Sequence, residues 1–309
     1  MLSLRTLFKF AAALTIATVW GLAVPAWAQD ADQTFRFADP AGGQIQAGVW
    51  LPNAIEFPGR RPLIVMSHGN GGAYNSHHDT AEVLARAGFV VAALTHPGDN
   101  WRDGSRQTQL SDRPRHVSLL IDYMTRDWSG PVTIDGARVG AFGFSAGGFT
   151  VTALVGGISD LELIHRHCED QAQLFACRLL AQSPIDAMTW RPVGHDPRIK
   201  AAVIAAPGLS MAFTDHSLAA VTIPIQLWAG EADEVVPAAF NAGSIGDRLG
   251  RKPEYHLVAG AGHFDFLPPC SAELAAALPV LCRSQPGFDR ARFHRDFNSE
   301  VVRFFRESL

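Results

Sequence analysis

The chain has 309 residues, of which 47% are hydrophobic and 18% charged, a composition that excludes a disordered protein and suits one large α/β domain with a sizeable core. Its 26 basic and 30 acidic side chains include two basic residues and no acidic residue in positions 1–28, which leaves 24 against 30 beyond them. The resulting formal charge of −6 argues against a nucleic-acid partner.

The first 28 residues have the organisation of a secretory signal peptide. Arg5 and Lys9 precede an apolar run over 10–24, and Ala26-Trp27-Ala28 forms a small-residue cleavage site. The alternative is an uncleaved membrane anchor, but the run is shorter than the roughly 20 residues that a span needs. We therefore expect cleavage near Ala28, no stable membrane anchor afterwards, and a location in the periplasm or the medium.

The remaining residues, 29–309, alternate between strand and helix patterns. TFRFAD and QIQAGVWL alternate apolar and polar residues, which predicts two edge strands joined by a turn at Gly42-Gly43. Short apolar runs typical of buried parallel strands follow: PLIVMSHG, FVVAALTHPG, VGAFGF, AAVIAAPG, PIQLWAG and YHLV. Helical patterns separate them, including RPRHVSLLIDYM from Arg113 and a last stretch near Asp289 to Arg306. This alternation predicts a doubly wound, mostly parallel sheet.

One long connection, at about 157–200, interrupts this alternation. It contains three prolines and two of the four cysteines. Connections of this length inside a compact domain are usually functional. We predict that it forms a small cap over the carboxyl edge of the sheet; the alternative is a surface excursion away from any site.

The four cysteines are disulfide candidates because export places them in an oxidising compartment. Three connectivities are possible, and we favour the local pairs Cys168 with Cys177 and Cys270 with Cys282, in segments that look irregular. The alternative is that the thiols are free and buried. Their spacings are not those of a zinc site, and no metal is expected.

The segment GFSAGG, residues 143–148, lies where the apolar run VGAF meets the helical run FTVTALV. It matches GxSxG, the pattern of a nucleophile elbow, in which a sharp strand-to-helix turn exposes a serine among small residues. The pattern alone is weak evidence, but the strand, turn and helix stand in the required order. Ser145 is therefore the candidate nucleophile.

A serine nucleophile needs a histidine base and a carboxylate that orients it. Asp233 follows the strand PIQLWAG, and His263 follows YHLV. Both are therefore expected beyond the carboxyl ends of strands, at the same edge as Ser145. Other carboxylates near these positions are rivals for the orienting role: Glu231, Glu234 and Asp265.

The order Ser, Asp, His is that of the α/β-hydrolases. With GFSAGG, GEADEVVP and GAGHF, the chain resembles the α/β-hydrolase superfamily over nearly all of residues 29–309. The stretches SHGNGG and THPGDN are similar to those of bacterial predicted dienelactone hydrolases, a group related to platelet-activating-factor acetylhydrolases. The resemblance implies an α/β-hydrolase fold, Ser145 as nucleophile, His263 as general base and acid, and Asp233 as the orienting carboxylate.

An acyl-transfer enzyme also needs hydrogen-bond donors for the tetrahedral oxyanion. One is expected to be the backbone N–H of Ala146, the residue after the nucleophile. The resemblance implies that the second is the backbone N–H of Asn70, in SHGNGG, with Gly71 as the next candidate. The alternative is that the glycines of this segment only allow a tight turn and supply no oxyanion donor.

The sequence thus predicts an exported serine hydrolase that cleaves carboxylic esters through an acyl-enzyme, without a cofactor. A small-molecule ester is the expected partner, and a monomer is the default assembly. His96, at the end of another strand, is a candidate for substrate binding. Two alternatives remain: an amide or peptide hydrolase with the same triad, and a non-catalytic protein that binds a ligand beneath the cap.

Overall fold

The computed structural model describes residues 31–309, so the predicted signal peptide at 1–28 lies outside the described residues. The strands, in chain order, are β1 (Gln33–Ala38), β2 (Gln44–Trp50), β3 (Arg61–Ser67), β4 (Val90–Thr95), β5 (Ile134–Phe144), β6 (Ile199–Ala205), β7 (Ile225–Gly230) and β8 (Glu254–Val258). They form one sheet in the order β1-β2-β4-β3-β5-β6-β7-β8. β1 and β2 pair antiparallel, β2 runs antiparallel to β4, and the remaining pairs are parallel.

Helices cover both faces of the sheet. They are α1 (His78–Arg86), α2 (Arg113–Arg126), α3 (Ala146–Leu154), α4 (Leu161–Asp170), α5 (Phe175–Gln182), α6 (Asp215–Ala219), α7 (Ala242–Arg248), α8 (Ala272–Ala277), α9 (Pro279–Cys282) and α10 (Arg290–Ser308). Short 3₁₀ turns occupy Leu110–Asp112, Ser210–Ala212, Ala238–Phe240 and His263–Phe266. The predicted doubly wound, mostly parallel sheet is confirmed.

The core has two layers because successive side chains of a strand point to opposite faces of the sheet. In β5, Ala141 packs in the layer that α2, α3 and α7 complete, whereas Phe142 packs in the layer of α1 and α10. Both side chains are fully buried. The central strands are therefore apolar on both faces, which explains their continuous hydrophobic runs.

The hairpin β1–β2 follows the predicted alternation. Its turn contains Gly42 and Gly43, with φ of 121° and 87°, a region that side chains with a Cβ rarely adopt. The predicted turn is confirmed.

The segment 157–200 is more regular than expected. It contains α4 and α5, and the disulfide Cys168–Cys177 joins them with a Cα–Cα distance of 5.3 Å. The second disulfide, Cys270–Cys282, spans α8 and α9 with a Cα–Cα distance of 5.7 Å. Both local pairings are present, but the expectation of irregular segments around them is wrong. α4 and α5 are only ten and eight residues long, and each buries only one residue, so the prolines and cysteines in the segment dominate the interpretation of its sequence.

Across residues 31–309, none of the helices combines the length and the apolar character that a membrane crossing requires.

Candidate active site

The structure brings the three predicted catalytic side chains into one hydrogen-bonded chain. The Ser145 Oγ lies 2.9 Å from the His263 Nε2, and the His263 Nδ1 lies 2.8 Å from the Asp233 Oδ2. Each residue follows the carboxyl end of a strand, namely β5, β7 or β8. The parallel order of these strands places the three loops at the same edge of the sheet.

The turn at Ser145 has the strained backbone expected of a nucleophile elbow. Ser145 has φ 56° and ψ −117°, which is unusual for a residue with a side chain. A Cβ on Gly147 would collide with the backbone carbonyl of Ser67, and one on Gly143 would collide with the carbonyl of Gly147. The glycines therefore allow β5, α3 and the end of β3 to approach closely, and this approach holds the serine in place.

The base and its carboxylate are both buried, each about 5% exposed. The His263 ring stacks on Phe144, with ring centroids 4.8 Å apart. The Asp233 Oδ1 accepts hydrogen bonds from the backbone N–H groups of Val235 and Val236, at 2.9 and 2.8 Å. Since Oδ1 is engaged in this way, Oδ2 remains directed at the histidine.

The rival carboxylate Asp265 has different partners. Its Oδ2 accepts the backbone N–H of Gly262 at 2.8 Å, and its Oδ1 accepts a hydrogen bond from the guanidinium of Arg290 at 3.0 Å. Asp265 therefore ties the loop that carries His263 to the start of α10. No local sequence pattern indicates this pairing, because a loop and two short helices separate the two residues.

The predicted oxyanion donors lie beside the serine. Asn70, Ser145 and Ala146 line the same cavity, and within residues 31–309 the backbone N–H groups of Asn70 and Ala146 have no protein acceptor. The alternative donor differs, because the N–H of Gly71 donates to the Asp99 Oδ1 at 2.9 Å. The Asn70 side chain is also engaged: its Nδ2 donates to the backbone carbonyl of Gln107 at 2.8 Å.

The cavity beside Ser145 is small and apolar, with a volume of about 60 Å³. Four of its lining residues belong to α5: Phe175, Ala176, Leu179 and Leu180. Further apolar side chains come from the main domain: Leu110, Leu209, Val235 and Val236. The segment 157–200 thus forms part of the wall of the cavity that contains Ser145.

His96, the candidate for substrate binding, lies elsewhere. It is fully buried and does not line the cavity beside Ser145. Its Nε2 lies 2.9 Å from the Ser67 Oγ, and its Nδ1 lies 3.2 Å from the Nδ1 of His116. Burial holds the pKa of His96 well below its usual range, so the ring is neutral. A residue that follows a strand at the carboxyl edge of the sheet can therefore still have its side chain in the core.

A buried ion pair near the Asn70 loop was not expected from the sequence. Arg113, at the start of α2, is about 2% exposed, and its Nη1 lies 2.6 Å from the Asp99 Oδ2. Burial lowers the pKa of Arg113, and the charge of Asp99 opposes that shift. An arginine in the first turn of an amphipathic helix ordinarily lies on the solvent side, so the sequence pattern does not reveal this position.

Comparisons with known proteins give likeness in structure but not in sequence. No protein-family model and no curated protein sequence matches the chain. A ferulic acid esterase from Streptomyces cinnamoneus is similar with a TM-score of 0.61 and 16% identity, over 89% of this chain and 88% of that one. Esterase 2 from Thermogutta terrifontis, phosphonylated by cyclosarin, has a TM-score of 0.54 and 17% identity, over 90% and 96%.

A third similar structure is a protein from Bacteroides ovatus described as a dipeptidyl aminopeptidase IV. Its TM-score is 0.58 and its identity 11%, over 90% of this chain but only 36% of that one. At such identities the likeness concerns the fold, and the resemblance to the dienelactone hydrolase group stays a prediction. With the strand order and the mixed pairing described above, these matches show that the chain has the α/β-hydrolase fold.

Proposed function

We propose that the protein is a serine hydrolase that cleaves carboxylic esters. The observation that carries the proposal is the hydrogen-bonded chain from Ser145 through His263 to Asp233, built on a strained elbow. A serine hydroxyl becomes a useful nucleophile when a histidine can accept its proton and a carboxylate stabilises the resulting cation. A protein that only binds ligands has no need of this arrangement.

In the proposed reaction the Ser145 Oγ attacks the ester carbonyl while the His263 Nε2 accepts the hydroxyl proton. The carbonyl oxygen becomes an oxyanion, which the N–H groups of Ala146 and Asn70 stabilise. The tetrahedral intermediate then collapses, His263 returns the proton to the departing alkoxide, and an acyl-enzyme remains. Water, deprotonated by His263, attacks that acyl group and releases the acid and free Ser145.

The cavity favours a short apolar acyl group. Its volume of about 60 Å³ and its apolar lining favour an acyl group of a few carbon atoms over a long chain. Two of the structurally similar proteins are esterases, which agrees with ester cleavage. Hydrolysis of an amide or peptide by the same triad is the second candidate, and the third similar structure gives it some support.

The first experiment compares hydrolysis of p-nitrophenyl esters from acetate to palmitate with labelling by a fluorophosphonate. We expect turnover that is highest for the shortest esters, and loss of both turnover and labelling in Ser145→Ala. Ser111→Ala is the control, because Ser111 is a buried serine whose hydroxyl has no hydrogen-bond partner within residues 31–309. Labelling without ester turnover would favour the amide hydrolase. Absence of both, in folded protein, would favour the non-catalytic alternative.

We also propose that the protein is exported. The two disulfides are typical of an oxidising compartment. Fractionation of the producing cells tests this. The protein should be recovered from the periplasm or the medium, and its mass should correspond to a chain whose first residue is near Gln29. Recovery of the full-length chain from the cytoplasm would contradict it.

A further inference from the structure

The loop that carries Asn70 is held from behind by the buried pair Arg113–Asp99. Asp99 comes from the loop after β4, and Arg113 begins α2, so two separate elements meet beneath the loop 68–72. Both side chains are about 2% exposed. A buried pair of this kind costs desolvation energy, and a chain gains little stability from it unless the charges have further partners.

The further partners are backbone groups on either side of Asn70. The Asp99 Oδ1 accepts the N–H of Gly71, and the Nη2 of Arg113 donates to the carbonyl of His68. Gly71 has φ 70°, and the N–H of Gly72 closes the turn on the carbonyl of Gly69 at 3.1 Å. The ion pair therefore fixes the peptides 68–69 and 70–71, which flank the peptide 69–70 that carries the Asn70 N–H.

This arrangement decides which amide remains for a substrate. Gly71 N–H is occupied by Asp99, whereas Asn70 N–H has no acceptor within residues 31–309 and lies at the cavity that contains Ser145. If the pair were lost, the Gly71 N–H would need another acceptor and the loop could turn. An oxyanion donor must point at its target within a few tenths of an ångström to be effective.

We propose that Arg113 and Asp99 are positioning residues that hold the Asn70 N–H in the orientation required for oxyanion stabilisation. The inference rests on the proposed ester hydrolase function. Neither side chain touches the substrate: both act through the loop 68–72. The pair therefore contributes to the transition state and not to ground-state binding, since the oxyanion exists only after Ser145 has attacked.

The test is Asp99→Asn, which keeps an oxygen for the Gly71 N–H but leaves Arg113 without its counter-charge. We expect kcat for p-nitrophenyl acetate to fall by about 10- to 100-fold while KM changes by less than about twofold. A trifluoromethyl ketone, which forms a tetrahedral oxyanion on Ser145, should bind more weakly by the same factor. Arg113→Lys, which keeps the charge but not the two-pronged geometry, is the second variant and should show the same pattern.

The matched control is Asp196→Asn. Asp196 is also buried and paired, with its Oδ2 2.6 Å from the Nη2 of Arg198, but it lies before β6, at the opposite edge of the sheet. It should lose stability and keep kcat. Unchanged kcat in a folded Asp99→Asn and Arg113→Lys, or a change in KM alone, would overturn the inference and leave the hydrolase function standing. A wild-type protein that neither hydrolyses esters nor reacts with a fluorophosphonate would overturn both.

Discussion

The nucleophile elbow and the segment 157–200 meet at the same cavity, yet they are built in different ways. All nine residues of α3 are buried, and the glycines around Ser145 touch backbone atoms of other elements. The segment 157–200 buries one residue in each of its helices and relies on a disulfide. The proposed reacting atoms thus lie in a closely packed part of the molecule, whereas α5 makes few buried contacts, and we expect substitutions in it to cost less stability.

Of the substitutions considered, Asp233→Asn, next to the closely packed elbow, should have the largest effect on kcat. The new amide oxygen can still accept the N–H groups of Val235 and Val236, which leaves the NH₂ group facing His263. The ring then takes the wrong tautomer, with its proton on the nitrogen that must accept from Ser145. We expect kcat to fall by about 10⁴-fold with little change in the melting temperature.

Steady-state kinetics and a melting curve check this result. Glu234→Gln is the control, because it removes a neighbouring rival carboxylate. If Glu234→Gln were the inactive variant and Asp233→Asn the active one, the assignment of the acid would be wrong.

A methyl group added at the elbow should lower the free energy of unfolding by an amount near the upper end of the range for a single change in the core. In Gly147→Ala the new Cβ meets the backbone carbonyl of Ser67, which cannot move aside as a side chain would. We expect the free energy of unfolding to fall by about 3 kcal/mol. Gly136→Ala, near the start of β5, is the control: its Cβ would make an ordinary contact with Thr125, 3.5 Å away. Equal losses in urea denaturation would argue against close packing as the reason for glycine at 147.

The double variant Cys168→Ala/Cys177→Ala tests the role of the segment 157–200. Loss of the cross-link should lower the free energy of unfolding by about 2 kcal/mol and loosen α5 above the cavity. Hydrolysis of p-nitrophenyl octanoate relative to acetate should then rise by about tenfold. Cys270→Ala/Cys282→Ala removes the other disulfide and leaves α5 unchanged. If both double variants changed acyl selectivity alike, α5 would not be the wall that limits chain length.

The smallest effect concerns His77, which packs beneath the elbow strand with its ring 5.1 Å from that of Phe142 and 5.2 Å from that of Phe144. Burial lowers the pKa of His77 to about 3, against an ordinary 6.5. Between pH 6.5 and 3 the unfolded state therefore binds a proton at His77 that the folded state does not bind. The stability that comes with the neutral ring is complete above pH 6.5 and is lost as the pH falls toward 3.

We expect His77→Phe to reduce the loss of unfolding free energy below pH 6.5 by about 1 kcal/mol per pH unit. Phenylalanine keeps the ring contacts, and neither ring nitrogen of His77 has a hydrogen-bond partner within residues 31–309. Replacement of the exposed His195 by Gln should leave the slope unchanged. Parallel slopes for wild type and His77→Phe in urea titrations at several pH values would contradict the assignment.

The sequence predicted the parts of this molecule that local patterns control. Strands β3 to β7 are short apolar runs, and Ser145, Asp233 and His263 come within a few residues of the ends of β5, β7 and β8, so their shared edge could be inferred. Burial of a polar residue depends on what the rest of the chain brings to it. For that reason the core position of His96 and the pairing of Arg113 with Asp99 could not be read from spacing.

Ser145 and His263 are 118 positions apart in the chain, yet they must meet within hydrogen-bond distance. Three parallel strand pairs, β5–β6, β6–β7 and β7–β8, have to form before that contact exists. Non-local pairings of this kind form late in folding, because the chain loses the entropy of closing a long loop before the stabilising contacts are made. Recovery of serine reactivity after dilution from denaturant should therefore lag behind recovery of helical circular dichroism, and it would report when the last strand has joined the sheet.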